Sequence, residues 1–196
     1  MWDKKYDTDE YIYGKSPNDF LRDNFKEIPK GKVLLLADGE GRNSVFLAKQ
    51  GYSVTAVDLS QIGLKKAQKL AQDNNVSIET ICADLEHFDL GKGRWDGIVA
   101  IFCHLPEAIR KSLYERIQDA IKPSGTLLIE NYSPEQLNFK TGGPSILSIL
   151  TSKKNLTEEL PKFSFSHLET IEREVIEGIG HTGFGAVIQA IASLKA

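Results

Sequence analysis

The sequence predicts an α/β fold, a doubly wound three-layer sandwich in which a mostly parallel sheet ends in an antiparallel hairpin. Apolar runs of strand length alternate with amphipathic helical segments from residue 32 to residue 131. The run "VLLLA" (33–37) has no polar residue, which is typical of a strand buried on both faces. Near the C-terminus, two strand-like segments (167–178 and 184–194) are separated only by residues 179–183, a spacing that indicates a hairpin.

The predicted elements follow in order along the chain. Ser16 is expected to cap a first helix that has Pro17 in its first turn and ends at about residue 28. Further helices begin at about Arg42, after Ser60 and at Pro106, with apolar side chains on the face turned to the core. The predicted strands are residues 32–37, 52–58, 76–84, 95–103, 126–131, 167–178 and 184–194. The last strand is apolar on both faces, so we expect it to lie inside the sheet.

A chain of 196 residues with this ordering predicts a single domain (1–196) built from four segments. These are an aromatic N-terminal segment and helix (1–29), a core of strands and helices (30–131), a polar insert (132–163) and the C-terminal hairpin (164–196). Long irregular inserts in compact domains are usually functional or mobile. The insert 132–163 is therefore a candidate cover for a ligand site.

Composition and charge argue against several classes of protein. The formal net charge is −3, which gives no reason to expect a nucleic-acid partner. No apolar run reaches the roughly 18 residues of a membrane-spanning helix, and the N-terminus lacks the apolar region of a signal peptide. Cys82 and Cys103 are the only cysteines and have neither CxxC nor metal-site spacing. These features predict a cytoplasmic protein without a metal site, and they leave the oligomeric state open.

The candidate ligand site is "DGEGRN" (38–43), which joins the first predicted strand to the next helix. Gly39 and Gly41 supply the first two glycines of a dinucleotide-binding G-x-G-x-x-G loop, but Ser44 stands at the third position. A pyrophosphate at the helix N-terminus would meet Asp38 and Glu40, which is electrostatically unfavourable. A ligand with positive charge and no phosphate removes this objection. S-adenosylmethionine, which carries a sulfonium and an ammonium group, is such a ligand.

Two further acids end predicted strands at the same edge of the sheet. Asp58 can accept hydrogen bonds from both ribose hydroxyls of a nucleoside. Asp84 is placed to accept from an adenine amino group, and the residues that follow the two acids, Leu59 and Leu85, can hold the two faces of the adenine. Asp58 would serve NAD equally well, so it does not choose between the cofactors. Each acid taken alone can also be a helix cap or a turn residue.

The ordered motifs resemble those of class I S-adenosylmethionine-dependent methyltransferases over about residues 30–131. The segments that carry the resemblance are "LLLADGEGRNSVFLA", "VTAVDLS", "CADLE", "WDGIVAIFCHLP" and "KPSGTLLIEN". The resemblance implies a Rossmann-like methyltransferase fold with a seven-stranded sheet, S-adenosylmethionine as cofactor, and cofactor contacts that include Asn43 and Ile101. More narrowly, "GEGRN" and the N-terminal "WDKKYDTDEYIYGKSPNDFL" are similar to the tellurite-resistance and thiopurine S-methyltransferase-like branch.

The chain departs from the family pattern at two positions. Leu35 stands where a mid-strand acid is usual, and Ala37 stands where the first glycine is usual. That acid commonly helps to hold the methionine ammonium. We expect Asp38 to take its place.

The resemblance puts the methyl acceptor above the end of the fourth strand, at residues 101–104. His104 is the first candidate for a polar contact with the acceptor, followed by His181 in "GIGHTG" and Tyr13 of the N-terminal segment. The segment has no Asn/Asp-Pro-Pro-aromatic motif, which argues against methylation of a nucleobase or glutamine amino group. A thiol is partly ionised near neutral pH and needs no strong base. We therefore expect a small-molecule acceptor with a thiol or another soft nucleophile.

Two other functions stay open from the sequence. A nicotinamide-dependent oxidoreductase would use a similar sheet, but Asp38, Glu40 and the terminal hairpin speak against it. A non-catalytic S-adenosylmethionine-binding sensor or partner subunit is favoured by the missing acid at position 35. The insert 132–163 favours an enzyme, because with the aromatic N-terminal segment it can form a lid over cofactor and substrate.

Overall fold

A seven-stranded sheet organises the residues that the computed structural model describes, 2–139 and 141–195. Its strands are β1 (Lys32–Leu36), β2 (Ser53–Asp58), β3 (Glu79–Cys82), β4 (Trp95–Ile101), β5 (Ile121–Tyr132), β6 (Phe163–Glu177) and β7 (His181–Leu194). They lie in the order β3-β2-β1-β4-β5-β7-β6, with β1 to β5 parallel and β7 antiparallel to both of its neighbours. The predicted sandwich, its C-terminal hairpin and the interior position of the last strand are confirmed.

Six α-helices lie in the described residues, and the third, fourth and fifth of them connect successive parallel strands. The six helices are α1 (Trp2–Tyr6), α2 (Asp19–Asn24), α3 (Arg42–Lys49), α4 (Gln61–Asp73), α5 (Glu107–Ala120) and α6 (Lys153–Glu159). Single 3-10 turns lie at Phe25–Glu27, Pro134–Asn138 and Leu147–Ile149. The last two and α6 are the short helical pieces in the described part of the insert, as its sequence predicts. Among the described residues, none of these helices combines the length and apolarity needed to span a bilayer.

The core explains why the first strand is wholly apolar. Leu34 and Leu36 pack on one side of the sheet in a cluster that includes residues of α5 and α6. Val33 and Leu35 pack on the other side with residues of α2 and α3. Both faces of β1 are covered, so period-two alternation of polar residues would place polar groups in the core.

Three local predictions need correction. The N-cap of the first predicted helix is Asn18 rather than Ser16, because the Asn18 side chain accepts a hydrogen bond from the Leu21 N–H at 3.0 Å. The third strand covers only residues 79–82, so Asp84 lies beyond its end. The hairpin turn is only residues 178–180, since pairing continues to Glu177 and His181. His181 therefore opens β7 rather than lying in the turn.

Candidate functional site

The carboxyl ends of the parallel strands meet at one edge of the sheet, where loops of α/β folds commonly bind ligands. The loop after β1 crosses this edge with Gly39 at φ +60° and Gly41 at φ +89°, in the left-handed region. A Cβ at Gly41 would lie 2.5 Å from the Cβ of Ala67 on α4, so close packing also requires glycine there. Ala37 has φ +53° without being glycine, which explains why a glycine is usual at this position.

Asp38 is the acid of this loop whose carboxyl group has no direct hydrogen-bond partner among the described residues. Both of its carboxylate oxygens are buried and have no hydrogen-bond partner among the described residues. Burial raises the pKa of Asp38 to about 7, and the nearby Asp58 adds to the effect, although Ser44 and Arg42 partly oppose it. A carboxylate in this position would be stabilised by a cation or a hydrogen-bond donor.

Asp58 ties the same loop to the end of β2. Its Oδ2 accepts from the Gly39 N–H at 2.8 Å, and its Oδ1 accepts from the Ser60 N–H at 2.8 Å. Burial raises the pKa of Asp58, whereas these backbone donors lower it. Each oxygen keeps a second lone pair, so the carboxylate can accept further hydrogen bonds.

Glu40, the other acid of the loop, is neutralised within the protein. Its carboxylate lies 2.5 Å from the Lys66 ammonium and accepts from the Tyr13 N–H at 3.3 Å. The sequence suggested that two carboxylates would face a ligand. Of these two carboxylates, Glu40 has an ammonium partner, whereas Asp38 has only the weaker effects of Ser44 and Arg42.

The remaining cofactor candidates lie in different surroundings. Leu59 is 56% exposed beside Asp58, whereas Leu85 is buried in the core cluster. Asp84 is exposed and accepts from the Glu86 N–H at 2.9 Å, as a turn residue does. Asn43 accepts from the Asn18 N–H at 2.9 Å, and Ile101 is buried at the end of β4. Leu59 is thus the more accessible of the two leucines.

The N-terminal segment covers the glycine loop. Tyr6 of α1 is buried, and a Cβ at Gly39 would lie 2.6 Å from its hydroxyl oxygen. The Lys66 ammonium donates to the carbonyls of Tyr6, Thr8 and Glu10 at 3.3, 3.0 and 2.6 Å. One α4 lysine therefore holds both Glu40 and the segment that lies over the loop. The sequence shows that this segment is aromatic, but it does not predict the contact of Tyr6 with Gly39.

The three residues predicted for the acceptor side come together around two further aromatic rings. His181 lies 4.5 Å from Tyr13 and 4.7 Å from Phe102 between ring centroids. Tyr132 lies 4.7 Å from Phe102, 5.6 Å from His104 and 5.4 Å from His181. We call these five residues the aromatic cluster. Phe102 and Tyr132 were missed as site residues, although the first lies in the quoted fourth-strand motif and the second directly follows "TLLIEN".

Both histidines of the cluster are kept neutral by burial. Burial lowers the pKa of His104 to about 3, with a further contribution from His181. Neither ring nitrogen of His104 has a hydrogen-bond partner among the described residues. Burial also lowers the pKa of His181, although the neighbouring Glu177 opposes this. The cluster therefore presents neutral imidazoles at neutral pH.

A buried polar network supports the cluster from the hairpin side. The Asn18 side-chain amide donates at 2.7 Å both to Glu130 on β5 and to Glu177 on β6. Arg173 pairs with Glu130, and Arg42 of α3 pairs with Glu177 at 2.5 Å. The network joins the N-terminus of α2 to three other elements, and it fixes Glu177 beside the aromatic cluster.

Gly142 and Gly143 of the insert pack against the aromatic cluster. A Cβ at Gly143 would lie 2.5 Å from the Tyr132 ring, and a Cβ at Gly142 would lie 4.0 Å from the His181 ring. The Thr141 hydroxyl donates to the Phe184 carbonyl on β7 at 2.8 Å. The insert and the hairpin are thus joined where they meet the cluster. Among residues 2–139 and 141–195, no group of three or more His, Cys, Asp or Glu side chains is arranged to hold a metal ion.

Comparisons with known proteins agree with this geometry. Residues 33–125 match the family described as "Methyltransferase domain". The ubiquinone biosynthesis O-methyltransferase of Coxiella burnetii is 33% identical over 114 residues, which are 57% of this chain and 47% of that protein. The chain spans about half the length of the curated relatives it matches.

Solved structures extend the likeness of the fold to nearly the whole chain. A structure from work on the conversion of a disulfide bond into a thioacetal group during echinomycin biosynthesis has a TM-score of 0.76 at 16% identity, over 99% of this chain and 91% of that one. TehB from Haemophilus influenzae has a TM-score of 0.75 at 22% identity, over 99% of this chain and 66% of TehB. The match over residues 33–125 and this fold together support a methyltransferase domain of class I, with S-adenosylmethionine as its cofactor.

Proposed function

We propose that this chain transfers the methyl group of S-adenosylmethionine to a small, uncharged acceptor, with a thiol or another soft nucleophile favoured. The observation that carries the proposal is a pair of buried polar groups without partners at the ends of neighbouring strands. These are the carboxylate of Asp38 after β1 and the imidazole of His104 after β4. Buried polar groups are almost always satisfied in folded proteins, so each of these two groups is expected to bind a ligand.

The residues of the loop fit the cofactor. Asp38 would hold the methionine ammonium, and Asp58 would accept from the ribose hydroxyls through its remaining lone pairs. Gly39 and Gly41 would allow close approach to the backbone. The exposed side chain of Leu59 would cover one face of the adenine, and exposed Asp84 would accept from its amino group. When bound, S-adenosylmethionine supplies an electrophilic methyl group.

The remaining predicted cofactor residues would support the residues that contact the cofactor. Leu85 is packed in the core and would support the adenine from below, and Asn43 holds the N-cap of α2 by accepting from the Asn18 N–H. Ile101 would form the floor between the cofactor and the aromatic cluster.

An uncharged acceptor fits the electrostatics of the aromatic cluster. Burial raises the pKa of the Tyr132 phenol, and Glu177 adds to this, so negative charge is disfavoured here. An anionic acceptor such as a metalloid oxyanion would meet the same penalty. Rings of Phe102, Tyr132 and Tyr13 would pack on an apolar molecule and align its nucleophile, and His104 would hydrogen-bond to it.

We further propose that the N-terminal segment and the insert 132–163 act as a lid, within the single-domain organisation predicted above. Tyr6 packs on Gly39, where the cofactor is expected to approach the loop. S-adenosylhomocysteine is therefore expected to slow proteolysis at residues 2–13 and 141–151. Unchanged cleavage rates at saturating S-adenosylhomocysteine would show that these segments do not act as a lid.

The narrower resemblance to the tellurite-resistance and thiopurine S-methyltransferase-like branch remains a proposal. The likeness to TehB concerns the fold. The acceptor panel below includes a tellurium oxyanion, and preferred turnover of that anion over neutral thiols would support the branch but contradict the electrostatic argument.

The deciding experiment is release of S-adenosylhomocysteine with a panel of thiols, amines, phenols and metalloid oxyanions. Turnover of neutral thiols is expected, with a large loss in His104→Asn and little change in His87→Gln, whose imidazole is exposed. Tight binding of S-adenosylmethionine by calorimetry without turnover of any acceptor would favour a sensor or partner subunit. Thermal stabilisation by NADH but not by S-adenosylhomocysteine would favour an oxidoreductase, since a ligand at 100 times its Kd adds about 2.7 kcal/mol.

A further inference from the structure

A carboxylate and a histidine face each other across the turn of the hairpin. Glu177 is the last residue of β6 and His181 is the first residue of β7, and the two are paired in the strand register. His181 Nδ1 lies 3.8 Å from Glu177 Oε2, and this buried nitrogen has no closer polar partner and no hydrogen bond among the described residues. The two nitrogens of an imidazole point in different directions, so Nε2 is directed away from Glu177.

Glu177 is fixed and charged. It is 4% exposed and is held by Arg42 at 2.5 Å and by the Asn18 side chain at 2.7 Å. Burial opposes its ionisation, but His181, Arg42 and Asn18 together lower the pKa of Glu177 to about 2. A fixed carboxylate beside Nδ1 favours the tautomer that carries its proton on that nitrogen.

We infer that Glu177 is a positioning residue, which holds neutral His181 with its proton on Nδ1 so that Nε2 can accept the proton of the methyl acceptor. The inference rests on the proposed function and deepens it. A bond forms between the acceptor sulfur and the methyl carbon, while the bond from that carbon to the sulfonium breaks and its electron pair stays on the cofactor sulfur. The thiol proton passes to His181 Nε2.

This assignment separates the roles of the two cluster histidines. His104 has no carboxylate partner, and it remains a neutral hydrogen-bonding group toward the acceptor. A base is useful only for acceptors that are largely protonated at the working pH, such as aliphatic thiols with a pKa near 8.5. The acceptor class is therefore narrowed to neutral protic nucleophiles that lose a proton on methylation.

Several titratable or charged groups besides Glu177 face His181. They are Arg42 on α3, Lys5 on α1, Tyr13 after α1, His104 after β4 and Tyr132 on β5. Arg42 and Lys5 both oppose protonation of His181. The ring is therefore neutral before the reaction, with one nitrogen free to accept the proton, and Glu177 sets the direction of that lone pair.

The first test measures the tautomer and needs no turnover. Nitrogen-15 spectra of the imidazoles at pH 7.5, with His181 assigned by comparison with His181→Gln, are expected to show neutral His181 protonated on Nδ1. In Glu177→Gln, this preference should weaken. A neutral ring protonated on Nε2 in the wild-type protein would overturn the inference. The result that decides the inference is the tautomer of the wild-type chain, so poor folding of Glu177→Gln does not affect it.

The second test divides acceptors by their ionisation. At pH 7.5, Glu177→Gln is expected to lower kcat/KM about tenfold or more for an aliphatic thiol, and less than about threefold for an aromatic thiol that is already ionised. Glu130→Gln is the matched control, because it removes a charge from the same network without contact to His181. The ratio of the two thiol rates should not change in that control.

Each outcome separates the inference from the proposed function. Equal losses for both thiols in Glu177→Gln, or no loss, would overturn the inference while the methyltransferase proposal stands. Failure of the wild-type chain to turn over any acceptor would overturn the proposed function, whatever the tautomer of His181.

Discussion

Replacement of Asp38 by asparagine should stabilise the ligand-free protein. In the unfolded chain Asp38 ionises near pH 3.8, whereas in the folded chain burial raises its pKa to about 7. Between these values the folded protein keeps a proton that the unfolded chain has released, so this residue makes folding less favourable as pH rises from about 4 to about 7. Above about pH 7 this loss of folding stability is constant, and it amounts to at most about 4 kcal/mol. Asp38→Asn removes it, so the variant should be more stable by about 1–4 kcal/mol at pH 8.

The same substitution should weaken binding of the cofactor. Loss of a hydrogen bond to a charged group costs about 1.5–3 kcal/mol, or a roughly 10- to 150-fold higher Kd for S-adenosylmethionine. Urea unfolding at pH 4 and pH 8 measures the first effect, and calorimetric titration at pH 8 measures the second. The two proteins should differ by only about 0.5 kcal/mol at pH 4, because Asp38 is then protonated in the folded chain and still roughly 40% protonated in the unfolded chain.

Glu40→Gln is the matched control, since it removes the same charge from the same loop. The Glu40 carboxylate lies 2.5 Å from the Lys66 ammonium, so this variant should lose about 1–3 kcal/mol of stability. Opposite signs for the two variants would show that the partner of each carboxylate decides its effect. A less stable Asp38→Asn protein at pH 8, or an unchanged Kd, would refute the reasoning.

Three further predictions concern the scaffold. Ala37→Gly should stabilise the fold by about 0.5–1 kcal/mol in urea unfolding, because it relieves a left-handed alanine at φ +53°; a loss of stability would contradict this. Asn18→Ala should cost about 2–4 kcal/mol, since it removes a helix cap and two bonds to buried carboxylates, whereas the partly buried Asn24→Ala should cost less than about 1 kcal/mol. A thiol reagent should modify exposed Cys82 in the native protein but Cys103 only in urea, because burial raises the pKa of Cys103 to about 12; rapid native modification of both would be inconsistent with the buried position.

The main elements were predictable because local patterns determine them. The run 33–36 is apolar and is covered on both faces, and the segments that flank residues 178–180 are long enough to pair with each other. The close spacing of the two long segments indicated the antiparallel edge for the same reason. Boundaries were less predictable, because Asn18 and Ser16 are both good helix caps, and only tertiary contacts of Asn18 select between them.

The buried polar network around Asn18 was not predictable from local sequence patterns. Asn18 joins two carboxylates that are 112 and 159 positions away along the chain, and no periodicity links these positions. In the sequence, Glu130 and Glu177 look like ordinary strand acids. Their burial follows from β7 lying between β5 and β6, which brings both acids against α2.

Burial also explains why the glycine loop has its acid at position 38 and an apolar residue at position 35. Leu35 is 1% exposed among apolar side chains, and a carboxylate there would be desolvated without a partner. Asp38 lies three residues later, beyond the left-handed Ala37, at the edge where ligands approach. We therefore propose that Asp38 takes the role of the usual mid-strand acid from a position outside the strand. Because Asp38 is costly to ionise without a cation, binding of a positively charged ligand would relieve a cost that an uncharged ligand would not, and on this proposal the loop selects for charge as well as shape.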